Sequence, residues 1–140
     1  MEFIEFLLSG NNFKTDTEVK FLNPLVMAFV GDSVYSLFVK TKELNIYTNK
    51  VKELTKLTAE TVNAKAQEQA LFKIMERLSD DELDIVKRAR NANIHTRAKN
   101  YSIDEYRHAT ALEALIGYLY LTKKTDRLME LFDLIFSKGN

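Results

Sequence analysis

The sequence predicts an all-α fold, and three features carry that prediction. Its 140 residues include only 4 Gly and 1 Pro, too little turn chemistry for a many-stranded sheet. Leu, Lys, Glu and Ala dominate, and these residues lose little freedom in a helix. Helix-start signals recur along the chain, at Asn23-Pro24, Ser79-Asp80-Asp81-Glu82 and Ser102-Ile103-Asp104-Glu105. Hydrophobic residues make up 46%, which argues against disorder. A chain of this size buries about two thirds of its unfolded surface, enough for one domain with its own core.

The elements follow in order. Phe3, Ile4, Leu7 and Leu8 suggest a short amphipathic piece, with a polar connector from Ser9 to Thr17. Asn23 is an N-cap and Pro24 a first helical residue, opening a helix to Thr41. Leu44-Asn45-Ile46-Tyr47 ends it. Thr48 can cap a further helical stretch reaching Leu78, with a joint near Thr58. The box at Ser79 opens a helix to Asn91, and the polar, basic stretch Asn93 to Ser102 reads as a loop. The box at Ser102 opens a helix to Leu121, and Thr125 caps a last one ending near Ser137. Without repeats or linkers, residues 1–140 read as a single domain of about six helices.

Composition excludes several chemistries. There is no cysteine, hence no disulfide, thiolate metal site or cysteine nucleophile. No serine sits in a G-x-S-x-G context, and no glycine-rich phosphate loop is present. His95 and His108 lack zinc-type spacing. The first ten residues carry Glu2 and Glu5 and no basic run, unlike a secretory signal, and no stretch reaches the roughly 18 apolar residues of a membrane span. A cytoplasmic protein with no membrane partner is the expectation.

Net charge is zero, yet it is unevenly spread. Residues 76–86 hold five acids against Arg77, and residues 87–108 hold six bases against Asp104 and Glu105. Macrodipole complementarity accounts for one or two of the bases that end the helix at Arg88-Ala89-Arg90. It does not account for Arg97 and Lys99 further on, and the group as a whole favours contact with phosphates. Asn63-Ala64-Lys65-Ala66-Gln67 reads either as a solvated helix face or, through its small residues, as a place of close approach.

Two carboxylates stand out. Asp32 lies in the run from Leu25 to Tyr35 and Glu113 in the run from Ala109 to Leu119, both apolar and helical in pattern. On a helix, Asp32 shares a face with Leu25, Ala28, Phe29, Tyr35, Ser36 and Val39. Glu113 shares one with Tyr106, Ala109, Thr110, Ile116, Gly117 and Tyr120. Burying a carboxylate is costly unless a cation, a metal or a proton compensates it. Gly31 adjoins Asp32 and Gly117 follows Glu113 by one turn; glycine costs about 1 kcal/mol in a helix, so close approach of two core helices is its natural reason. A Lys, Arg or Tyr from another helix would satisfy each carboxylate singly. If the two meet, their repulsion forces one to stay protonated, and a divalent cation removes the conflict. Mg²⁺ suits one or two carboxylates with the rest of its shell from water and substrate phosphate, which points to a phosphodiester. The helix bearing Glu113 is apolar nearly all round and must be central or reach a dimer interface.

Phe29-Val30-Gly31-Asp32-Ser33-Val34 and Leu112-Glu113-Ala114-Leu115-Ile116-Gly117 resemble the two motifs of the ribonuclease III catalytic domain, E-x-x-E-F-L-G-D-[AS]-V and D-x-x-E-A-L-I-G. The resemblance is nearest to the Mini-III branch, which has the catalytic domain without a double-stranded-RNA-binding domain. Asn23-Pro24-Leu25, Asn63-Ala64-Lys65-Ala66-Gln67, Arg90-Asn91-Ala92 and Tyr106-Arg107-His108-Ala109-Thr110 carry it. It covers residues 20 to 135. Positions that are acidic in the motifs of the larger enzymes hold Leu25, Ala28 and Thr110 here, and the position after Val34-Tyr35, often Glu in the Mini-III branch, is Ser36, which leaves Asp32 and Glu113.

The resemblance implies a ribonuclease III-like helical bundle and a Mg²⁺-dependent endoribonuclease of double-stranded RNA, leaving 5′-phosphate products. It implies a homodimer whose two sites each cut one strand, maturing the large-subunit (23S) ribosomal RNA precursor. Asp32 and Glu113 would be the catalytic and metal-binding residues. Lys65, Arg88, Arg90, Asn91, Arg97 and Lys99 would contact RNA, and a ribosomal protein is a further candidate partner. Two other readings fit the sequence: a catalytically weak or inactive RNA-binding or ribosome-associated protein on the same fold, and a helical interaction module whose carboxylates are core ion pairs.

Overall fold

The computed structural model describes residues 2–10, 15–44, 49–92 and 102–137. They form α1 (Glu2–Leu8), α2 (Asp16–Lys20), α3 (Pro24–Glu43), α4 (Val51–Val62), α5 (Ala64–Ile74), a 3-10 turn (Met75–Arg77), α6 (Asp80–Arg90), α7 (Ile103–Leu121) and α8 (Thr125–Phe136). No strand occurs among the described residues, and the fold is all-α as expected. No described helix is long and apolar enough to cross a membrane.

The start signals act as the sequence implies. Asn23 accepts a hydrogen bond from the backbone N–H of Leu25, with Pro24 at the first position of α3. Ser79 and Ser102 both close full capping boxes, with Glu82 and Glu105 as the reciprocal partners. Two boundaries differ. The joint expected near Thr58 falls at Asn63, which ends α4 and caps α5 by accepting from the Ala66 N–H. Thr58 sits inside α4, where its hydroxyl bonds Glu43 at 2.7 Å and the Leu54 carbonyl, so it supports the helix without breaking it. Thr125 is the first residue of α8; Lys124 holds the cap position without a side-chain bond. The proposed cap Thr48 and the stretch 93–101 lie outside the described residues.

Helix α7 is the hub. From Ala109 to Leu119 every residue but Glu113 is buried. Helices α3, α5, α6 and α8 pack around it, with α2 at its edge. Met27, Tyr35 and Val39 of α3 meet Leu71 and Ile74 of α5, Ile85, Val86 and Ala89 of α6, and Leu131, Phe132 and Ile135 of α8 in one core. Phe38 stacks on Phe132 with ring centres 4.2 Å apart, closing the α3–α8 side. Across α6 and α8, Arg127 grips buried Glu82 with two 2.8 Å hydrogen bonds and also donates to the Arg77 carbonyl at 2.6 Å. Burial works against charge on Glu82, but the Arg127 and Ser79 hydrogen bonds outweigh it and hold the carboxyl below its usual range.

Candidate active site

The site grows from a seam between α3 and α7. A Cβ added at Gly31 would lie 1.7 Å from the Glu113 backbone oxygen, and one at Gly117 would lie 1.9 Å from the Met27 backbone oxygen. The two helices therefore touch backbone to backbone, and each glycine makes room for the other helix. This contact brings the neighbouring carboxylates together at the edge of the seam.

Asp32 and Glu113 approach within hydrogen-bonding reach of each other. The Glu113 carboxyl is pushed up to about 8, first by burial, then by the hydrogen bond and negative charge of Asp32. The Gln67 amide acts in the opposite direction, donating from Nε2 to Glu113 Oε2 at 3.4 Å. At neutral pH the pair on its own holds one proton, donated by Glu113 to Asp32. Behind it, the Tyr35 phenol is raised by burial and by the Glu113 charge and stays neutral.

The expectation that both carboxylates sit centrally on buried stripes holds only for Glu113. Asp32 is exposed. The buried stripe of α3 runs through Met27, Ala28, Gly31, Tyr35 and Val39, and Asp32, 100° round from Gly31, falls on its rim. Phe29, assigned to the same face, is 80% exposed. This placement suits a site better than burial would, since one carboxylate faces solvent and the other is walled in.

Among the described residues no cluster of three or more His, Asp or Glu side chains is placed to hold a metal. The donor set is two carboxylates that share a proton. That set fits Mg²⁺, which binds through one or two carboxylates and keeps water and phosphate oxygens for the rest of its shell. Of the positions often acidic elsewhere, Leu25 and Ala28 are apolar and Thr110 is already engaged. Ala28 is buried, and the Thr110 hydroxyl donates to the Tyr106 carbonyl within its own helix.

The candidate RNA contacts divide into groups. Lys65, in the first turn of α5, and Asn91, at the end of α6, are exposed, and Arg90 is half-buried. Arg88 is engaged inside the protein, donating to the backbone carbonyls of Lys20 at 2.6 Å and Leu22 at 3.2 Å, with Asp84 at 3.7 Å. It ties α6 to the segment that leads into α3. Arg97 and Lys99 lie outside the described residues. His108 pairs with Glu68 at 2.6 Å, linking α7 to α5. Gln67, as a partner of Glu113, was not singled out from the sequence; the alanines around it at 64, 66 and 70 were the available sign that α5 approaches another helix closely.

A Ribonuclease III domain model matches residues 25–124, spanning both glycines of the seam and both carboxylates. The chain belongs to the ribonuclease III family. Within it, the chain is similar to Mini-ribonuclease 3 proteins of several bacteria. That of Staphylococcus aureus (strain NCTC 8325 / PS 47) is 41% identical over 127 residues, covering 89% of this chain and 95% of the relative. That of Brevibacillus brevis (strain 47 / JCM 6285 / NBRC 100599) is 46% identical over 115 residues, covering 82% and 86%. A crystal structure of a Fusobacterium nucleatum protein superimposes with a TM-score of 0.76 at 35% identity, covering 84% of this chain and 94% of that one. Membership in the Mini-ribonuclease 3 branch makes the protein an endoribonuclease.

Proposed function

We propose that this endoribonuclease is a single catalytic domain that cuts double-stranded RNA with Mg²⁺, works as a cytoplasmic homodimer, and matures the large-subunit (23S) ribosomal RNA precursor. The observation that carries the reading is the convergence of Asp32 and Glu113 beside the glycine seam, with a proton held where a cation would compensate both charges. Asp32 and Glu113 would hold the metal, which when bound supplies an activated water and stabilises charge developing on the phosphate.

The rest of the chemistry belongs to the chain. Asp32 stays open to water and substrate on the rim. Glu113 would release its carboxyl proton to solvent on holding a cation with Asp32. The backbone-to-backbone seam excludes water behind the pair, which strengthens electrostatics at its front. An A-form duplex offers phosphates and 2′-hydroxyls more readily than base edges, so recognition rests on shape and charge. Lys65, Arg90, Asn91, Arg97 and Lys99 would make those contacts, with Arg88 holding the end of α6 in place. Products would carry 5′ phosphates.

Support for a homodimer comes from the outer face of α3. Val26, Phe29 and Leu37 are 46%, 80% and 63% exposed and follow one another at helical spacing, with Ser33 between. Such a stripe next to the site fits a second copy of the same helix, which would set two sites on one duplex.

Cleavage of a duplex RNA with and without Mg²⁺ tests the reading. Asp32→Asn and Glu113→Gln should each reduce cleavage to background while leaving the dimer intact by sedimentation. Unchanged cleavage in either variant would defeat the two-carboxylate site. Offering the ribosomal RNA precursor against an unrelated duplex, with and without ribosomal proteins, tests the substrate and the auxiliary partner. A protein that binds duplex RNA with salt-dependent affinity but never cuts it would be a binding protein on this fold.

A further inference from the structure

Gln67 is 3% exposed, on the face of α5 that packs against α7. An apolar residue would fill that position at lower desolvation cost, because a buried amide must find partners. Its Nε2 donates to Glu113 Oε2 at 3.4 Å. The Gln67 backbone N–H bonds the Asn63 carbonyl at 3.0 Å, and the Asn63 side chain caps the same turn. The next residue, Glu68, bonds His108 of α7 at 2.6 Å. This turn of α5 is thus fixed at its cap and again to α7, and the amide has a rigid support.

The choice of an amide has a chemical logic. A Lys or Arg here would neutralise Glu113 and compete with any cation brought to the carboxylate pair. An apolar side chain would leave the Glu113 carboxylate free to turn. A neutral donor restrains one oxygen without adding charge, the part played by outer groups that orient metal-binding carboxylates.

We propose that Gln67 is a positioning residue that fixes the orientation of the Glu113 carboxylate, and so sets the affinity of the Asp32–Glu113 pair for a divalent cation. This rests on the reading that the pair holds the metal. Mn²⁺ binding, followed by electron paramagnetic resonance on the full chain, and the Mg²⁺ dependence of duplex cleavage test it together. Gln67→Leu should weaken Mn²⁺ binding by about 10- to 100-fold and raise the half-saturating Mg²⁺ in step. At saturating Mg²⁺ most of the cleavage rate should return, with KM for RNA unchanged and the metal-free melting temperature not lowered. Gln67→Met, close to isosteric, should repeat the result and replaces Gln67→Leu if that variant melts early. Wild-type Mn²⁺ affinity and Mg²⁺ dependence in these variants would overturn the proposal, leaving Gln67 a core amide. A wild type that binds no Mn²⁺ and is indifferent to Asp32→Asn would instead overturn the metal reading, and this inference with it.

Discussion

Helices α3 and α7 are built alike and finished differently. Both are long, apolar on nearly every side, interrupted by a glycine and supplied with a single central carboxylate. On α7 every side is covered by the protein's own helices. On α3 one side seals against α7 and the other leaves Val26, Phe29 and Leu37 in the open. A helix apolar all round requires cover on all sides. The difference teaches that α3 has half its cover within the fold, and that the bare half adjoins the site.

The sealed side is where the largest effect is expected. Gly31→Ala drives a methyl group into the Glu113 backbone oxygen, and backbone cannot rotate out of the way. Urea unfolding should register a loss on the order of 4 kcal/mol or more, or no folded protein. A mild loss would mean that the seam opens easily and that the carboxylates are not fixed by it.

The cover of α7 can be loosened at its far flank. Arg127→Ala leaves Glu82 buried without its guanidinium, and removing one partner of such a pair should cost about 2–3 kcal/mol, discounted because Arg127 is partly exposed. Because Glu82 is held below its usual range, its contribution is present at neutral pH and is lost as pH falls through that range. The gap between wild type and Arg127→Ala should therefore narrow in acid. A gap that stays constant would assign the loss to packing of the arginine stem.

A smaller effect on the subunit itself is expected from the bare side of α3. Phe29→Glu and Leu37→Glu should give monomers by sedimentation, at a cost within about 0.5 kcal/mol to the isolated subunit, since neither side chain is buried there. The wild-type melting temperature should rise with protein concentration and that of the variants should not. Variants that remain dimeric would place the partner elsewhere.

Much of this was legible in the chain because local rules bind tightly where backbone geometry is at stake. Two glycines in apolar helices pointed to close contact, and both lie in one seam. Both capping boxes sit at their helix starts. What the sequence withheld depends on which way a helix is turned. Asp32 shares a helical neighbourhood with Tyr35 and Val39, yet one residue's rotation puts it on the rim. Thr58 and Asn63 are both plausible stops; Glu43 gives Thr58 a partner across the chain that no local pattern reveals. Arg88 belongs to a basic run, but its guanidinium faces carbonyls 66 and 68 residues away. Gln67 lies in a stretch that reads either as a solvated face or as a place of close approach, and no local pattern decides between them because its partner, Glu113, is 46 residues distant.

The finest contrast between the two helices lies in their carboxylates. Glu113, on the covered helix, has its folded value raised from 4.5 to about 8. The folded metal-free protein therefore holds this proton more tightly than the unfolded chain does. The associated stability is fully present below about pH 4.5 and is lost as pH climbs to about 8. Glu113→Gln carries no such proton and escapes the loss. Its melting temperature should match wild type near pH 4.5, pull ahead by several degrees as pH rises to 8, and keep a constant lead above that. Asp32→Asn removes the charge facing Glu113 and lets it ionise at lower pH, but burial, the larger cause, remains, so the wild-type decline should lessen without vanishing. Adding Mg²⁺ at pH 8 should stabilise wild type and leave Glu113→Gln where it was. A lead that does not vary with pH would mean that Glu113 ionises as an ordinary surface carboxylate, and the shared proton that marks the pair as a cation site would be gone.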